Sequence, residues 1–185
     1  MRAANWATRS SSWRSRERSP CDGSTRRGET LCATRGAHLS AGALELAARE
    51  SIRDLVARYN ANGDSGRFDA MLALFAEDAT LELEGETLHG RAAIRAFFER
   101  VAERTGPGRG AAFVRHLTST HQIDVLSERE ARGRCYYAVL TDRGLDHWGC
   151  YVDEYRQLDG RWLFQRRKVT VDAAMPGGWG ATQQR

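Results

Sequence analysis

The feature that most constrains this chain is a run of four long strand-like segments over residues 112–126, 131–142, 148–158 and 161–172. Val, Tyr, Trp, Thr and Phe recur along them, and Asp159-Gly160 between the last two is a strong two-residue hairpin turn. Consecutive strands joined by short turns make a meander, which needs a cover for its apolar face. Three helical patterns upstream supply one. After Ser40, a candidate N-cap, Leu44, Ala48, Ile52, Leu55, Val56 and Tyr59 fall on one helical stripe that ends at Gly63. A short second helix presents Phe68, Met71, Leu72 and Phe75, and residues 80–84 alternate like a strand. A third helix follows Gly90, carries Ile94, Phe97, Phe98 and Val101, and stops in the glycines and proline of residues 105–110. The expected fold class is α+β: a cone-shaped α+β barrel in which three N-terminal helices pack on a curved mixed or antiparallel sheet, with a pocket at the open end.

The remainder lies at the chain's start. Residues 1–39 hold eight Arg against Glu17, Asp22 and Glu29, are rich in Ser, Thr and Gly, and have neither a helical nor a strand period, so they are expected to be a disordered tail. Residues 40–174 are expected to form the domain, and residues 175–185 a flexible C-terminal tail. The first 39 residues carry +5, more than the whole chain's +4, which leaves the rest near −1 with neutral histidines. The high pI therefore belongs to the tail, and a basic nucleic-acid-binding face is not expected in the domain. Arg outnumbers Lys 27 to 1, a bias that points to base composition as much as to charge. The tail has no apolar signal core and no run of about 18 apolar residues occurs, so neither export nor membrane spanning is expected and a cytoplasmic location follows by default. A start assigned too far upstream accounts for the tail better than a targeting segment does.

Cys21 and Cys32 lie in the tail, and Cys135 and Cys150 in separate strand-like segments. No pair has zinc-ribbon spacing, and no pair among the five histidines has convincing metal-ligand spacing, so free thiols and no metal are expected. Cys135 reads as a small buried hydrophobe rather than a nucleophile. Trp162 and Phe164 on the last strand, and Phe97 and Phe98 on the third helix, read as core.

Two stretches carry candidate chemistry: Tyr59-Asn60-Ala61-Asn62-Gly63-Asp64 at a helix end and Arg115-His116-Leu117-Thr118-Ser119 in a strand. These, with Phe68-Asp69, Phe75-Ala76-Glu77-Asp78-Ala79, Gly160-Arg161-Trp162-Leu163-Phe164 and Arg166-Arg167, resemble the nuclear transport factor 2-like superfamily. The closer resemblance is to its SnoaL-like branch, which includes polyketide cyclases, scytalone dehydratase-like enzymes and bile-acid 7α-dehydratase. The match spans roughly residues 43–172. The resemblance implies that His116 is a general acid or base, that Asp64 orients it and stabilises its imidazolium, and that Tyr59 donates a hydrogen bond to a substrate oxygen. The chemistry suits those residue types: removing water beside a carbonyl, or moving an enone, needs a base for an acidic C–H and a donor for the developing oxyanion. An imidazole, with a reference pKa of about 6.5, serves either half of that transfer. Each residue also has a structural alternative: Tyr59 as core, Asp64 as a helix cap, His116 as a buried, satisfied side chain.

At a fourth position the sequence departs from these relatives, which carry a second His or an Asp on the next strand. Here the stretch reads Leu140-Thr141-Asp142, and strand alternation admits only one of Thr141 and Asp142 to the pocket; Asp142 is the preferred catalytic candidate and Thr141 a substrate contact. Arg166 and Arg167 pose the same question of parity, with Arg166 taken as the substrate clamp. His147 reads as an exposed turn residue. Of Tyr136, Tyr137, Tyr151 and Tyr155, alternate ones should line the cup, Tyr137 among them, and favour a flat hydrophobic ring system. The resulting expectation is a cofactor-independent dehydratase, isomerase or cyclase for a hydrophobic cyclic hydroxy or keto compound. The alternative is a non-catalytic ligand-binding or accessory subunit resembling the small subunit of ring-hydroxylating dioxygenases. By resemblance, a homodimer or homotrimer is expected.

Overall fold

In the computed structural model, which describes residues 40–105 and 113–178, the order of elements follows the periodicities. Helix α1 spans Ala41–Asp64, α2 Phe68–Leu72 and α3 Gly90–Thr105. The strands are β1 Phe75–Leu83, β2 Glu86–His89, β3 Val114–Val125, β4 Glu130–Thr141, β5 Gly144–Leu158 and β6 Arg161–Ala174. The expected tail over residues 1–39 lies outside the described residues, as does the C-terminal stretch from 179 on.

Ser40 caps α1 as its position suggests, its Oγ accepting the Ala43 N–H at 3.3 Å. The buried stripe of α1 is Ala48, Ile52, Leu55, Val56 and Tyr59. Each large apolar side chain so buried contributes roughly 1.5–3 kcal/mol. Helix α1 packs on β3 and β6, and α3 packs on β1.

The six strands form one sheet in the order β2-β1-β6-β5-β4-β3. β3 to β6 make the expected antiparallel meander, and β1 joins β6 in parallel, so the sheet is mixed. It does not close on itself: β2 and β3 are its edges. The Asp159-Gly160 turn holds both residues at positive φ, 49° and 75°, the backbone that a right-twisted two-residue hairpin needs.

Three of the register shifts among the described strands, those in β4 to β6, bear on which side chains face the helices. Between Val139 and Leu140 of β4, the β5 partners run from His147 to Leu145, and Asp146 is the extra residue. Between Trp148 and Gly149 of β5, β6 skips Asp172; between Glu154 and Tyr155 it skips Gln165. The last slip matters most. Trp162 and Phe164 set an even-numbered inward series, and the extra Gln165 converts it to an odd one, so Arg167 is fully buried while Arg166 is half-buried on the other face.

Candidate functional site

Asp64 is the last residue of α1, and His116 is the third residue of β3, an edge strand whose outward N–H groups have no neighbouring strand to pair with. Asp64 supplies that partner. Its Oδ2 accepts the His116 backbone N–H at 2.9 Å, and its Oδ1 lies 2.5 Å from His116 Nδ1. One carboxylate therefore fixes both the backbone and the ring of His116. An ionised carboxylate can only accept, so Nδ1 carries the proton toward Asp64 and Nε2 is the free basic nitrogen. The side chains are 9% and 21% exposed for Asp64 and His116, enough shelter to strengthen the pair and enough opening for a ligand to reach the ring. Asp64 does not cap α2, whose N-cap position is Arg67.

The pair borders an open cleft of about 480 Å³ between the end of α1 and the start of β3. Ala57, Asn60 and Ala61 form one wall, Arg115 to Thr118 the other, and Ser65 and Arg67 sit at the end of the helix.

Tyr59 lies deeper. Its ring meets Phe75, Tyr151 and Phe164 edge-on at centroid distances of 5.8, 6.2 and 5.5 Å. The Arg167 guanidinium stands 4.2 Å from the Tyr59 and Tyr151 ring centres and 4.1 Å from that of Phe164. Arg167 pairs with Asp153 through two bonds of 2.8 and 2.7 Å, and Asp153 also accepts the Tyr155 hydroxyl at 2.8 Å. The network ends at His121, 3.3 Å from that hydroxyl. Burial alone would favour an uncharged guanidinium, but Asp153 more than reverses this and holds Arg167 above its ordinary pKa. Burial raises the Tyr59 phenol, with the Arg167 charge opposing it.

The aromatic ring beside His116 is Tyr137, at 6.4 Å between centroids. It stacks on Tyr151 at 4.5 Å and donates its hydroxyl hydrogen to the Thr170 carbonyl at 3.2 Å. Gly149 makes this reach possible, because a Cβ there would stand 1.9 Å from that same carbonyl oxygen. On the far side of Tyr137, at 5.9 Å, is His147. Its Nδ1 lies 2.8 Å from Asp146 Oδ1, and the pair is buried. Burial lowers the His147 pKa; its bond to Asp146 raises it in part, and His116 lowers it further. His116 and His147 occupy one row across the sheet, each paired with Val139. Two carboxylate–imidazole pairs thus lie on this side of the sheet with Tyr137 between their rings.

The SnoaL-like domain pattern matches residues 44–168. This chain belongs to the SnoaL-like family. Its domain resembles a candidate scytalone dehydratase from Novosphingobium aromaticivorans, with a TM-score of 0.63 and 24% identity over 71% of this chain and 89% of that one. It also resembles a hexachlorocyclohexane dehydrochlorinase, LinA-type3, from Novosphingobium barchaimii (TM-score 0.62, 18% identity, 73% and 93% covered). A third likeness is to the beta subunit of a candidate aromatic-ring-hydroxylating dioxygenase from Novosphingobium aromaticivorans (TM-score 0.60, 17% identity, 71% and 94% covered). At these identities the likeness is one of fold. A search of curated proteins gave no match.

Within this SnoaL-like domain the sequence-derived candidates separate. Asp64 and His116 meet; Tyr59 sits in the Arg167 cage, and Tyr137 takes the place beside the imidazole. Thr141, not Asp142, is buried, in step with Cys135, Tyr137 and Val139, while Asp142 is exposed in the turn after β4. The Thr141 hydroxyl is spent on that turn, donating to Gly144 O at 3.4 Å and accepting from Arg143 N at 3.2 Å. Arg166 is held away from the cleft by Glu82, at 2.6 and 2.7 Å. His147 is not an exposed turn residue: β5 begins at Gly144, and the Asp146 bulge lets two consecutive residues both face inward. The neighbouring Asp146 was the one signal for it, a carboxylate beside an imidazole. Among the described residues, no group of three or more His, Cys, Asp or Glu is disposed to hold a metal, and no helix is long and apolar enough to cross a membrane. Cys135 is buried, which pushes its thiol up to about 12.

Proposed function

We propose that this protein is a cofactor-independent acid–base enzyme, a dehydratase, isomerase or cyclase, acting on a hydrophobic cyclic hydroxy or keto compound with His116 as the proton-transfer group. The observation that carries the reading is the double hold of Asp64 on His116, which engages Nδ1 in a ring that lines an open cleft. In an elimination, Nε2 takes the proton from a carbon next to a carbonyl. The C–H electron pair becomes the new C=C, and the hydroxyl on the adjacent carbon leaves as water, carrying back the proton that the imidazolium returns. Asp64 stabilises the imidazolium between the two transfers. His147, oriented by Asp146, is the candidate for a second proton carrier, in the role first sought at Asp142. Tyr137 and Tyr151, stacked on each other and buried, form an apolar backing behind the imidazole. The names of two similar structures, a dehydratase and a dehydrochlorinase, both denote eliminations and support this class.

A second reading, a non-catalytic ligand-binding or accessory subunit, is favoured by the concave face itself, which Tyr59, Tyr151 and the Arg167–Asp153 pair largely fill. A homodimer or homotrimer is part of the proposal, supported by Tyr136 and Val152, which are exposed on the opposite face of the sheet.

The test is an absorbance screen for new conjugated enones with hydroxylated steroids, polyketide intermediates and naphthol-like ketones. On a substrate so found, His116→Gln and Asp64→Asn are each expected to cost roughly 10²–10⁴ in rate. Turnover that survives His116→Gln sinks the proposal, and binding without turnover across the panel transfers it to the accessory reading.

A further inference from the structure

The charges around the cleft select a class of ligand. Along α1, Arg49, Arg53 and Arg58 each pair with a carboxylate three or four residues away. Arg67 and Arg115, the two arginines that line the cleft, do not. Arg67 donates to Asn62 Oδ1 at 2.9 Å and to Ala61 O at 3.3 Å. Arg115 donates to Val114 O at 2.6 Å and lies over the Phe113 ring. Among the described residues neither has a carboxylate within ion-pair distance. The one acid in the lining, Asp64, has both oxygens turned to His116. The cleft therefore carries two cations with only neutral acceptors, beside the His116 imidazole that lines it. Asn60, in the same wall, is 7% exposed, and its side-chain oxygen has no hydrogen-bond partner.

We propose that the cleft takes an amphipathic carboxylate, a ring system bearing an acid group. The carboxylate sits between the Arg67 and Arg115 guanidinium groups, and the apolar body lies along Ala57 and Ala61 with its reactive carbon toward His116. Guanidinium forks match a planar carboxylate in geometry and charge, which a neutral ketone or alcohol cannot reproduce. A volume of about 480 Å³ is the size of a one- to three-ring ligand site. The inference rests on the proposed acid–base reading for the role of His116, but the charge preference stands on the two arginines alone.

The experiment is calorimetric titration of the full-length protein with 2-naphthoate and with its neutral analogue 2-naphthalenemethanol, at low and high salt. Arg67→Gln, Arg115→Gln, the double variant and His116→Gln are measured alongside. Both arginines are exposed, so their replacement leaves the core intact. The expected result is naphthoate binding about tenfold or more tighter than the alcohol, as one well-placed charged contact gives. That preference shrinks at high salt, falls to within about twofold in the double arginine variant, and persists in His116→Gln. Equal affinity for the two compounds overturns the inference, as does a preference that survives the double variant. A preference lost in His116→Gln also overturns it, because the imidazolium would then be the anion's partner. If the arginine-dependent preference holds while no compound of the absorbance screen is turned over, the acid–base reading has failed and the anion site has not.

Discussion

Asp153→Asn isolates what the floor of the cup contributes. Asp153 and Arg167 are 1% and 0% exposed, joined by two bonds of 2.8 and 2.7 Å, so solvent screening does not dilute their interaction. The substitution keeps the shape and removes the negative charge. What remains around the guanidinium is Tyr59, Tyr151 and Phe164, each ring centre 4.1–4.2 Å away. A desolvated cation–π contact is worth up to about 2 kcal/mol, and the rings already make that contribution in the native protein, so they offer no new compensation. Breaking one side of a buried pair costs about 3–5 kcal/mol. For a domain of this size, roughly 3–5 °C per kcal/mol places the drop in melting temperature at roughly 10–20 °C.

The control is the double variant Asp153→Leu with Arg167→Met, which removes both charges and refills the space with apolar groups. Such exchanges are neutral or stabilising by about 1–4 kcal/mol, so the double variant is expected to melt within a few degrees of the native protein and well above either single variant. Thermal and urea unfolding followed by circular dichroism measure both. A loss below about 1 kcal/mol in Asp153→Asn would refute the reasoning, because a charge so easily orphaned must be reaching water. A double variant no better than the singles would refute the claim that the cost is electrostatic.

Two further outcomes follow from the same geometry. Burial depresses the pKa of both His147 and His121, so the native state holds them neutral when the unfolded chain, with its histidines near about 6.5, already binds protons. Their contribution is present above that pH and is lost as pH falls through about 6.5 toward the depressed native values; the melting temperature should drop from pH 8 to pH 5.5, and less steeply in His147→Gln, whereas an identical slope in the variant would count against the assignment. Gly149→Ala places a Cβ 1.9 Å from the Thr170 carbonyl oxygen and 3.0 Å from Val171 Cα, both backbone atoms, so a loss of at least about 1–3 kcal/mol is expected by urea unfolding, and an unchanged midpoint would contradict the close approach.

The sequence made the long elements legible because their periods are long enough to count. The stripe of α1 from Ala48 on, the four strands of the meander and the Asp159-Gly160 turn stand where periodicity and turn chemistry put them, while Leu44 is exposed and β5 begins at Gly144 rather than Trp148. Strand β2, four residues long, has no countable period, and β1 begins at Phe75 rather than Thr80, its first four residues running two buried and two exposed without alternation. The contact of Asp64 with His116 was legible because it depends on a helix end and on residue type. The site was illegible wherever a bulge changes parity. Alternation from Trp162 and Phe164 points Arg166 inward, and only the extra Gln165 reverses that choice. The Asp146 bulge hides His147 in the same way, since two consecutive inward residues violate the strand rule a reader applies.

The arrangement divides the polar groups of the cup by depth, and the division has a chemical logic. Arg167 is surrounded by three rings and one carboxylate, so its charge state cannot vary under any condition the fold survives. It can set a field and hold Tyr59 and Tyr151 in place, but it cannot exchange a proton. His116 sits at the rim, where Asp64 holds Nδ1 and the ring lines the cleft, so a ligand can reach it without disturbing the packing beneath. The proposed proton transfer draws on both properties, which the cup divides between two residues. Substitutions at Asp153 or Arg167 should therefore act first on unfolding, and substitutions at Asp64 or His116 first on turnover and its pH dependence. Separation of those two responses, rather than the size of either, is what distinguishes a fold organised around proton chemistry from a filled scaffold.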